Sequence, residues 1–138
     1  MKIRTDFVTN SSSSSFIIAY KDIPPENPSD LYYNLYKEII NGIVTSESGD
    51  TSEATVYTTK EELDKRFLSC YTFGDETLED LFEDDEYLKD LYKKIAKYLD
   101  KGYSIMDKSI DYNDNGLISL IQTIAQGNEN FVIIDEGE

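Results

Sequence analysis

An unbroken apolar run, Phe16-Ile17-Ile18-Ala19-Tyr20, constrains the fold more than any other feature of the chain. A strand points successive side chains to opposite faces, so such a run needs cover on both faces of its sheet. A second run, Phe131-Val132-Ile133-Ile134, sits near the carboxyl end. The stretches between carry the other periodicity. Leu31, Leu35 and Ile39 recur at four, as expected of a helix beginning after Ser29-Asp30 and stopped by Asn41-Gly42. A short strand is expected at Ala54-Thr55-Val56-Tyr57. Thr59-Lys60-Glu61-Glu62 has the hydroxyl and carboxylate spacing of a capping box, and the helix behind it aligns Leu63, Phe67 and Cys70.

Residues 75–101 form the strongest helical segment. Leu78, Leu81, Phe82, Leu88, Leu91, Tyr92, Ile95 and Leu99 fall at helical spacing, and Asp84-Asp85 interrupt the stripe, which reads as one helix or as two. A strand is expected over 103–110, a helix from Leu117 to Ala125 ended by Gly127, and an acidic tail over 135–138. Strands alternating with helices define an α/β fold. The expectation is a single domain over residues 1–138, with a small mixed sheet of about four strands packed by three to five helices. Some pairing should be parallel, the runs at 16–20 and 131–134 should be interior strands, and residues 1–15 should be a Ser-rich lead-in to the first strand.

The chain has 28 acids against 13 bases, no His and one Cys, for a net charge of −15. Phosphate neutralisation needs Lys and Arg, so direct binding of nucleic acid or of an acidic membrane surface is disfavoured. Without His there is no Ser–His or Cys–His pair and no imidazole ligand. Cys70 reads as a small core residue, and a lone thiol in a chain opening Met1-Lys2-Ile3-Arg4-Thr5-Asp6, with no apolar run behind it, points to the cytoplasm. No cofactor is expected.

The amino terminus reads MKIRTDFVTNSSSSSFII. Over these eighteen residues, and nowhere beyond them, it resembles a set of small uncharacterised bacterial proteins opening with a DFVTNSSSSSF block. The resemblance implies a bacterial protein and brings no catalytic residue. Physically, Ser11, Ser12, Ser13, Ser14 and Ser15 read as a solvated loop, as an anion cup of hydroxyls and backbone amides, or as a modification tag for another protein. The missing glycine and P-loop lysine weigh against the anion cup.

Two arrangements of oxygen ligands suggest a metal. Asp111-Tyr112-Asn113-Asp114-Asn115-Gly116 resembles the first half of an EF-hand or dockerin calcium loop, with oxygens at positions one, three and five and Gly at six. Its twelfth position holds Gln122 rather than a carboxylate, and the competing reading is a strand-to-helix turn in which Asp114 or Asn115 caps the helix. Alternatively, Asp22, Asp111, Asp114 and Asp135 follow predicted strands. On parallel neighbours they would converge on Mg²⁺, as a phosphoryl-transfer or phosphoester-hydrolysing enzyme requires.

The remaining feature is an acidic segment. Residues 75–90 hold nine acids and one lysine, net −8, just over half the excess charge of the chain, while Lys93, Lys94, Lys97 and Lys101 follow behind. Such polarity suits the helix dipole. It also names a surface, Glu79, Asp80, Glu83, Asp84, Asp85 and Glu86, where a basic protein would dock or where carboxylates would imitate a row of phosphates. The sequence therefore favours a non-catalytic binding or regulatory module acting through protein contacts. The metal enzyme and the nucleic-acid mimic remain as alternatives.

Overall fold

A computed structural model describes residues 13–21, 31–46, 54–111 and 114–137. The element order is β1 (Ser13–Tyr20), α1 (Leu31–Thr45), β2 (Thr55–Tyr57), α2 (Lys60–Tyr71), α3 (Leu78–Asp84), α4 (Glu86–Asp100), β3 (Ser104–Asp111), α5 (Asn115–Ala125) and β4 (Phe131–Gly137). The α/β class with four strands and five helices is the one the alternating periodicities predict. The sheet runs in the order β2-β3-β1-β4.

The apolar run at β1 takes the place its composition demands. Phe16 and Ile18 pack with Ile40 and Ile43 of α1, Met106 and Ile110 of β3, Ile121 of α5 and Phe131. Ile17 and Ala19 face the other way, onto Leu63 and Phe67 of α2, Leu81 of α3 and Leu88, Leu91 and Ile95 of α4. Two helices therefore cover one face of the sheet and three the other, and β1 is buried on both. Cys70 lies in this second core as a buried thiol.

Four expectations need correction. All three strand pairings among the described residues are antiparallel, not partly parallel. Every connection carries a helix, which allows a strand to return in either direction. Second, β4 is an edge strand and the second interior strand is β3. Phe131 is buried, but Val132, Ile133 and Ile134 are only half-buried. Third, α1 runs through Gly42 to Thr45, because Ile43 belongs to the same apolar stripe and its burial outweighs the intrinsic cost of a helical glycine. Fourth, the acidic tail is strand through Gly137, pairing Asp135 with Ile17 and Glu136 with Phe16. Each carboxylate has a donor: Tyr87 Oη gives to Asp135 at 2.6 Å and Gln122 Nε2 to Glu136 at 2.8 Å. A bulge in β4 falls beside the Ile17/Ile18 step.

The segment 75–101 resolves into two helices. Asp85 closes α3 through its N–H to Leu81 O (2.9 Å) and opens α4 through its carboxylate, which accepts from Leu88 N (3.1 Å). One extended Asp thus satisfies backbone groups of both helix ends.

Candidate functional site

The acidic face lies on α3, its link and the start of α4. Leu81, Leu88 and Leu91 anchor these helices in the core, so the opposite positions face water. Glu79, Asp80, Glu83, Asp84, Glu86 and Asp90 are exposed and Asp85 is half-exposed. Two of them are engaged by the backbone. Asp80 completes a capping box with Thr77, accepting from Thr77 N while Thr77 Oγ1 accepts from Asp80 N. Asp85 caps α4. Glu79, Glu83, Asp84, Glu86 and Asp90 carry the projecting charge.

Two aromatic residues that sequence reasoning passed over flank this charge. Tyr87 at 49% and Phe73 at 55% are among the most exposed large side chains described. Tyr87 sits beside Glu86, and its hydroxyl ties the start of α4 to Asp135 of β4. Phe73 is followed by Gly74, whose φ of 59° makes the turn between α2 and α3. An aromatic residue directly before the turn pair Gly74-Asp75 was the available sequence signal.

Of the strand-end acids, Asp111 and Asp135 do not come together as the enzyme reading requires. Antiparallel pairing sets Tyr20, the end of β1, opposite Ser104 and Phe131, the starts of β3 and β4. Asp111 and Asp135 lie toward the other end, paired with Ser13 and Ile17 of β1. That register separates them by two strand spacings, about 10 Å, and by four residues along the strand, about 13 Å. Asp22 and Asn113 lie outside the described residues. Among the described residues no group of three or more Cys, Asp or Glu side chains could hold a metal ion.

The described end of the calcium-like loop, residues 114–116, has the geometry of a helix start. Gly116 stands inside the first turn of α5, without the positive φ of the glycines at 74, 102 and 127. Asp114 instead caps α5, accepting from Leu117 N at 3.1 Å, and Asn115 begins the helix. The capping alternative holds for Asp114.

The serine run enters the sheet. β1 starts at Ser13, so Ser13, Ser14 and Ser15 pair with Asp111, Ile110 and Ser109. Ser15 is buried, its hydroxyl 3.5 Å from that of Ser109. Modification there requires the strand to open. Ser11 and Ser12 lie outside the described residues.

Two polar clusters elsewhere are tied down by partners. Arg66 Nε donates to Asp107 Oδ2 at 2.9 Å, joining α2 to the centre of β3 beside the buried Tyr57. Burial, then the Asp107 charge, pushes the Tyr57 phenol far above the ordinary tyrosine range. Lys108 is buried on the opposite face, its ammonium donating to Ser46 O just past α1. No helix among the described residues is long and apolar enough to cross a membrane. Comparison with known protein families, curated proteins and solved structures finds no match.

Proposed function

We propose that this chain is a non-catalytic binding module of the cytoplasm, docking a basic protein through the face formed by α3 and the start of α4. The observation that carries the reading is the joint exposure of Glu79, Glu83, Asp84 and Glu86 with Tyr87 on helices fixed by two satisfied caps. Charge alone steers encounter; an exposed aromatic set among charges supplies the desolvated anchor that stable docking needs. The face is pre-ordered, so binding does not spend its free energy on folding it.

The test is capture of proteins on the immobilised chain across a salt series. The reading expects basic partners that are released as salt rises, because exposed charge pairs are screened. Partners that are neutral or acidic, or that persist unchanged at high salt, would remove it. The same experiment addresses the nucleic-acid mimic: a partner that binds nucleic acid, and from which added DNA displaces the chain, would favour that version.

A further inference from the structure

We infer that the outer edge of β4, with the lysine stripe of α4 beside it, is a second docking site, for an extended acidic peptide segment of a protein partner. Lys94, Lys97, Tyr98 and Lys101 line a groove of about 300 Å³ together with Val132, Ile133 and Ile134. Positions 94, 97, 98 and 101 follow the three-and-four spacing of one helix face. None of these three ammoniums pairs with a carboxylate among the described residues; Lys101 Nζ lies 5.7 Å above the Tyr98 ring.

The location of this positive charge is unexpected in a chain of net −15. α4 runs antiparallel to β4. Its first turn reaches Asp135 through Tyr87, and its lysines flank the apolar start of the strand. The edge is thereby divided. Its carboxyl half carries Asp135, Glu136 and a bulge, which discourage pairing. Its amino half is regular, half-buried and apolar, with cations alongside. Among the described residues no strand pairs with it.

The dimensions set the chemistry of the occupant. An added strand would hydrogen-bond to β4 and point alternate side chains toward α4, about 7 Å apart. Lys97 and Lys101 are about 6 Å apart along the helix axis, by rise per residue. Carboxylates at positions i and i+2 of the peptide therefore meet successive lysines, and the residues between them face away from α4. A second copy of β4, paired antiparallel, would also bring Asp135 and Glu136 toward these lysines, but it would have to pair through its own bulge, whereas a regular acidic segment meets them without that irregularity.

Fluorescence anisotropy tests this with the full chain and a labelled peptide carrying Glu at alternate positions between Val and Thr. Saturable binding is expected, weakened about tenfold by Lys97→Glu and unaffected by Lys60→Glu, an exposed lysine at the start of α2. Methylating the peptide's alternate backbone amides should abolish binding, because edge pairing needs those donors. Three outcomes overturn the inference: no saturable binding, equal binding of the methylated peptide, or equal weakening by both lysine substitutions. The last two would show charge attraction without strand addition.

Discussion

Phe67 offers the sharpest test of the packing that holds the acidic face in place. Its side chain is 1% exposed and meets the rings of Tyr71, Tyr92 and Phe82 edge-on, at centroid distances of 4.9, 5.4 and 6.5 Å. It is the point where α2, α3 and α4 meet. Phe67→Ala removes the transfer free energy of a buried ring and leaves a cavity, which together cost about 3–5 kcal/mol. The edge-on pairs place the value in the upper half of that range. A domain of this size has about 5–15 kcal/mol in all, so the variant should be close to unfolding. With a urea dependence near 2 kcal/mol per molar, the midpoint should fall by about 2 M. Urea melts followed by far-UV circular dichroism and by tyrosine fluorescence measure it, the chain having no Trp. Leu68, the next residue, is 39% exposed and serves as the control. Leu68→Ala should cost below about 1 kcal/mol. Equal losses at the two positions would refute the assigned face of α2, and with it the packing of α3 and α4.

Two further outcomes follow from single groups. Asp114→Ala removes the α5 cap and should cost about 1 kcal/mol, read from the same melts, with Asp114→Asn largely restoring it. Burial, helped by the hydrogen bond to Asp64 and its charge, pushes the Tyr92 phenol from 10.0 up to about 12. The folded state therefore holds this proton more tightly than the unfolded state. Its contribution is fully present below pH 10 and is lost as pH rises from there to about 12. Melts across this window should show a steeper alkaline loss in the wild type than in Tyr92→Phe, and identical slopes would contradict the assignment.

Much of this fold was legible because burial left a period in the sequence. The run at Phe16-Ile17-Ile18-Ala19 could only be covered twice, and it is the strand whose residues divide between the two cores. Leu63, Phe67 and Cys70 fell on one face because that helix has a single buried side. The run at Phe131-Val132-Ile133-Ile134 misled for a physical reason. An edge strand under helices on both faces needs apolar residues on both, just as an interior strand does, so composition cannot separate them. Strand direction left no trace at all, which is why the convergence of Asp111 and Asp135 could be imagined from the sequence and fails in the register. Within the acidic segment the charge was legible and the division of labour was not. Asp80 and Asp85 serve helix ends, a role that depends on where the helices break, while Tyr87 acquires meaning only once β4 lies beside it. The same holds for Lys94, Lys97 and Lys101, whose spacing is plain and whose neighbour, the β4 edge, is distant in sequence.

The central claim is that the exposed carboxylates of α3 and early α4 are the docking face, and carbodiimide footprinting tests it most directly. The full chain is labelled at its carboxylates alone and in complex with its captured basic partner, and modification is read residue by residue by mass spectrometry. The account predicts protection at Glu79, Glu83, Asp84 and Glu86, with Glu61 and Asp100, exposed on α2 and at the end of α4, labelled as before. Unchanged labelling of those four acids, with protection falling on Glu61 or Asp100 instead, would contradict it.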